Sequence, residues 1–125
     1  MNEPTEKLTE KQLREKLEAF STDFQEVVLR YHAHPSPEGL DHVVHGLLHF
    51  HVGEDFERLH EEKGGDVLLV EDLKVDSLTL VEISFQAEDL VGYAIQIEDF
   101  EDIHSLTDLQ VFLRQELFPD AIATG

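Results

Sequence analysis

The 125-residue chain contains no cysteine. Disulfides and thiolate metal sites are thereby excluded. Cations are scarce too: nine Lys and Arg stand against 28 Asp and Glu, for a formal net charge of −19. Residues 75–113 hold no Lys or Arg at all, while residues 1–31 carry five. Nucleic acid is therefore not an expected partner, because its binding needs cations against phosphates. Such a chain instead attracts basic protein surfaces and meets them quickly at low salt. A simpler use of the charge is solubility, but the acids concentrate around one helix described below. Long apolar runs are also missing, so no membrane span is expected, and the charged N-terminus lacks a secretory pattern. A cytoplasmic location is the resulting expectation. There is no glycine-rich phosphate loop, no Ser-His-Asp arrangement and no carboxylate pair in a pocket context.

What is present is helical. Hydrophobic residues make up 41% of the chain, enough for a modest core. Leu13, Leu17, Phe20, Phe24, Val27 and Tyr31 recur at spacings of three and four, which predicts one long helix from Thr5 to about Ala33. Its stripe must bury against the rest of the domain, a second copy of the chain or a partner. His34-Pro35-Ser36-Pro37 breaks it. Ser36 as cap and Pro37 at the first position predict a second helix to about Val52, with Leu40, Val43, Val44, Leu47 and Leu48 on its apolar face. Residues 54–62 read as a helical turn, and Gly64-Gly65 as loop. Asp76 or Ser77 caps a helix that runs to Leu90 or Val91 and stops at Gly92. A short helix over 98–102 and a last helix to about Leu117, capped by Ser105 with Asp108 behind it, complete the reading. Pro119 ends it.

The most informative run is Leu73-Lys74-Val75-Asp76-Ser77-Leu78. It is followed by Val81-Glu82-Ile83, by Val91-Gly92-Tyr93-Ala94-Ile95 and by Ile103-His104-Ser105-Leu106. In this order, from Val70 to Leu113, the chain resembles the acyl carrier protein family, the small helical phosphopantetheine carriers of fatty acid and polyketide synthesis. The family pattern there is Leu-Gly-x-Asp-Ser-Leu, with the cofactor on the serine. This chain departs from it in one place, where Lys74 stands for the glycine.

The resemblance implies an all-α fold: an acyl-carrier-like four-helix bundle over residues 36–118, an additional N-terminal helix in residues 1–35 and a tail at 119–125. It implies a specialised carrier with 4'-phosphopantetheine covalently on Ser77, flanked by Asp76 and Leu78. It would be loaded by a phosphopantetheinyl transferase and visited by acyl-handling enzymes with basic docking surfaces. A helix start suits such a phosphodiester, because unpaired N–H groups and the positive dipole end favour an anion. The plainer reading of Ser77 is an N-cap and nothing more.

The serine helix carries two apolar stripes. Leu80, Ile83, Ala87, Leu90 and Val91 are assigned to the core. Leu78, Val81 and Phe85 are expected to stay partly exposed and to dock on partners, with Glu82, Glu88 and Asp89 meeting Arg or Lys there. The alternative is that Phe85 is core. By resemblance, cargo lies near Ala87, Ile95, Phe100, Ile103 and Leu109, and Phe100 there favours short or polar cargo.

Seven of the eight histidines lie between His32 and His60. His42, His45 and His49 share a helical face at a spacing that permits chelation. With no cysteine and no assigned acid partner, no metal site is expected; a pH-sensitive face or plain packing fits better. Two further readings stay open. One is an unmodified, carrier-shaped module that binds basic partners, possible homodimerisation through the N-terminal stripe included. The other is a histidine-rich metal-binding protein.

Overall fold

A computed structural model describes residues 9–120. Among them are six α-helices: α1 (Glu10–Lys16), α2 (Thr22–Ala33), α3 (Pro37–Val52), α4 (Glu54–Lys63), α5 (Ser77–Val91) and α6 (Leu106–Leu117). Two 3-10 helices, Gly64–Asp66 and Ile97–Glu101, join them. No strand is present among these residues, only one antiparallel bridge between Leu68 and Ser105. The fold is all-helical, as expected.

The N-terminal stripe does not form one helix. α1 ends at Leu17, and Ser21 opens α2 by accepting a 3.2 Å hydrogen bond from the Phe24 N–H. A serine followed by Asp23 in the first turn is an N-cap signal, and it overrides the continuous periodicity. Residues 5–8 of the expected helix lie outside the described residues. The break lets Leu13, Leu17, Phe20, Phe24, Val28 and Tyr31 all turn inward, and Leu17 and Val28 are fully covered. Val28 takes the core position expected of Val27, which is only partly buried. Among the described residues this stripe packs largely against its own chain.

α3 forms as its caps direct: Ser36 accepts from the Gly39 N–H at 3.0 Å, and Pro37 holds the first position. It is the central element, packed against α2, α4, α5 and α6. Arg114 of α6 clamps Asp41 of α3 with both arms of its guanidinium. The stretch expected as a single turn is a full helix, α4, anchored by the completely buried Phe56. A side chain of that size contributes about 1.5–3 kcal/mol on burial. The two glycines expected as loop begin the 3-10 helix Gly64–Asp66.

Between that turn and α5 the chain is irregular yet fixed. Val67, Leu69, Leu73 and Val75 are buried. Leu69 N–H donates to the His104 carbonyl at 2.8 Å, and Leu106 N–H to the Val67 carbonyl at 2.9 Å. This ties the approach to Ser77 to the start of α6. Gly92 ends α5 with φ 83°, the left-handed conformation that a C-cap glycine adopts without a Cβ penalty. Ser105 and Asp108 cap α6 reciprocally, as their spacing foretold. The core runs from Leu13 to Leu113 as one cluster.

Candidate functional site

Ser77 is the first residue of α5 and is exposed. It is not the cap. Asp76 is, accepting a 2.8 Å hydrogen bond from the Thr79 N–H, while its carbonyl accepts from the Leu80 N–H. That bond holds the Asp76 carboxyl below its ordinary range. A serine whose only role was capping would occupy position 76. Here the role is filled by its neighbour, and the Ser77 hydroxyl stands at the open helix start.

The approach is built around Lys74. Its φ is 61°, the one non-glycine residue with positive φ among those described. An L side chain is strained there, and glycine is the residue that adopts this region without penalty. Lys74 is also the position where the carrier pattern has glycine. The backbone adopts this turn although the side chain does not favour it. Lys74 N–H donates to the Val70 carbonyl, and Leu73 N–H to that of Leu68, each at 3.1 Å. Asp72 fastens the same turn: it accepts from the Leu68 N–H at 2.9 Å and pairs with Lys63 at 3.0 Å. First the Leu68 amide, then Lys63, hold the Asp72 carboxyl low. Neither the strain at Lys74 nor the Lys63–Asp72 tie is readable from local patterning.

Along α5 the two stripes separate as expected. Ile83, Ala87, Leu90 and Val91 are buried, and Leu80 is partly so. Leu78 and Phe85 are 67% and 63% exposed, and Val81 is half-buried between them. Phe85 is thus not core. Glu82 and Glu88 are exposed. Asp89 turns toward the N-terminal helix, 3.6 Å from Lys16, and this pair shares its charge with its own chain. Glu82 lies 3.8 Å from Nδ1 of His51, whose Nε2 is 2.7 Å from the Gln86 carboxamide oxygen. So a histidine of α3 braces the acidic side of α5. Of the expected cargo positions, Ala87, Ile95, Ile103 and Leu109 are buried and Phe100 is half-buried.

His42, His45 and His49 share one face of α3, as their spacing implies. His45 and His49 both reach Glu57 of α4, at 3.0 Å and 2.7 Å, whereas His42 is exposed. Glu57 is not on their helix, so sequence spacing could not supply it. Among the described residues, no three His, Asp or Glu side chains are arranged to hold a metal ion. No helix among these residues is long and apolar enough to cross a membrane.

Fold and site together define an all-helical protein with an exposed serine opening an acidic, half-apolar helix. Compared with known protein families, curated proteins and solved structures, the chain matches none.

Proposed function

We propose that this chain is an acyl-carrier-like protein that takes 4'-phosphopantetheine on Ser77. The observation that carries the reading is the pairing at the start of α5: a first-position serine relieved of capping by Asp76, preceded by a left-handed turn at Lys74 where carriers have glycine. In this reading α3, α5, the 3-10 helix Ile97–Glu101 and α6 are the carrier bundle, and α1, α2 and α4 are additions to it. The residues fit the group. The open first turn of α5 offers amides to a phosphodiester, and Lys74 supplies a nearby cation. When bound, the group supplies a thiol that carries an acyl chain as a thioester. The protein's own residues make no bond in that chemistry. They present the serine, keep it in water and display a docking face.

That face is Leu78, Val81 and Phe85, with Glu82 and Glu88 beside them. An exposed phenyl ring flanked by carboxylates suits a partner surface with an apolar pocket rimmed by Arg or Lys. The partners are a phosphopantetheinyl transferase and acyl-handling enzymes. Phe100 beside Ile95 and Ile103 favours short or polar cargo.

The second reading is an unmodified module that uses the same acidic face as an adaptor. Lys74 in place of glycine favours it. Labelled coenzyme A with a broad-specificity transferase separates the two. In the carrier reading, label enters the peptide containing Ser77 and is absent from Ser77→Ala. A folded protein that stays unlabelled, yet binds its partners through α5, establishes the adaptor.

A further inference from the structure

A groove of ≈ 420 Å³ lies on the face of α3, between α2 and α4. Its walls are Phe20 from the turn before α2, Phe24 and Val27 from α2 and Phe50 from α3. The rings form a continuous aromatic surface, with Phe20 centred 4.9 Å from Phe24 and 4.5 Å from Phe50. Phe24 lies this close to α3 because residue 46 is glycine: a Cβ there would sit 2.2 Å from the ring. The rim is polar, and its chemistry is one-sided. Asp23 faces the groove from α2, His42, His45 and His49 from α3, and Glu57 from α4. His60 of α4 stands behind, its ring 5.0 Å from that of His45. Among the described residues, no Lys or Arg lines the groove.

The hydrogen bonds set what the rim can offer. Glu57 Oε2 receives His45 Nε2 at 3.0 Å and His49 Nδ1 at 2.7 Å. A carboxylate has no proton to give, so both rings donate. The neutral rings then keep His45 Nδ1 and His49 Nε2 as acceptors. Burial pushes the Glu57 carboxyl up, but the hydrogen bonds from His45 and then His49 outweigh it and hold the carboxyl below its ordinary value. It is therefore ionised at neutral pH.

We propose that this groove binds a small organic cation: a primary ammonium group carried on an apolar or aromatic body. Aromatic faces attract cations electrostatically. Two carboxylates and two imidazole acceptors complement an ammonium, which has three donors and no acceptor. A net charge of −19 raises the local concentration of such a ligand. The volume lies within the usual range for small-molecule sites. This site does not depend on Ser77.

The probe is 2-phenylethylammonium, with 2-phenylethanol as its neutral counterpart, titrated into the intact protein and followed by amide NMR shifts. The expected result is saturable shifts at Gly46, Phe24 and Glu57 with the ammonium and much weaker ones with the alcohol. Glu57→Gln should weaken the ammonium at least about tenfold, the loss of a charge-assisted contact. Phe50→Ala removes a largely exposed wall, and it should weaken both probes. Equal binding of the two probes overturns the proposal. So do shifts spread over the acidic face of α5, or no saturable shift at all.

Discussion

Lys74 holds a conformation that its side chain disfavours. At φ 61° the strain for an L residue is about 1 kcal/mol. Lys74→Gly should therefore stabilise the protein by up to about 1 kcal/mol, offset in part by the greater freedom of glycine in the unfolded chain. The check is a urea titration: the midpoint should rise with the slope unchanged. A fall would mean that the Lys74 side chain holds the turn more strongly than its backbone strains it. The same residue shows what sequence could convey about the site. The departure from glycine was visible. That the backbone kept the left-handed turn was not visible, because it depends on Val67, Leu69, Leu73 and Val75 being buried around it and on Asp72 being tied to Lys63. The competition between Asp76 and Ser77 for the cap was likewise open in the sequence. Geometry resolves it through the Thr79 amide.

Helices obeyed their caps more closely than their periodicity. Ser36, Gly92 and Ser105 ended or began helices where expected, because a cap satisfies backbone groups that have no other partner. The long N-terminal helix failed for the same reason: Ser21 is a cap inside an unbroken apolar stripe. α4 was read with nearly its bounds but only as a helical turn, since Phe56 alone among its residues is buried. Caps also set the acid response. Asp108 is held low by the His104 and then the Ser105 amides, Asp76 by the Thr79 amide, and Asp72 by the Leu68 amide and then Lys63. Their folded pKa values lie below the unfolded ones, so this stability is fully present above the ordinary carboxylate range. It is lost as pH falls below about 4 and through the lowered folded values. Urea midpoints measured from neutral to acid pH should drop in that window, and Asp108→Asn should flatten part of the drop. On α5 the exposed ring makes the opposite case. Phe85→Ala should change stability by no more than about 0.5 kcal/mol, as exposed positions do. If the docking face is as proposed, the same variant slows transfer of phosphopantetheine to Ser77, read as kcat/KM of the transferase. Loss of stability without loss of transfer would place Phe85 in the core's service instead.

At the scale of the whole molecule, the N-terminal helices belong to the core that carries the serine helix. Leu17 is completely buried and Lys16 reaches Asp89 of α5. Leu17→Ala should cost about 2–5 kcal/mol, a transfer loss plus a cavity. Denaturation followed by helix content and by a probe on α5 should show one shared transition, shifted as a unit. Two separate transitions would mean that residues 9–33 fold independently of the rest. The stripe that suggested this packing was legible as periodicity, but its partner was not, because a stripe does not say which surface covers it. The histidines were legible to the same extent: spacing put His42, His45 and His49 on one face, where they are, but not Glu57 on another helix, which pairs with two of them. The central claim concerns Ser77, and intact mass tests it most directly. The purified chain is weighed before and after incubation with coenzyme A and a broad-specificity phosphopantetheinyl transferase. The account predicts a gain of one phosphopantetheine that is absent from Ser77→Ala. An unchanged mass in a protein that is folded and helical, under conditions that load a known carrier, would contradict it.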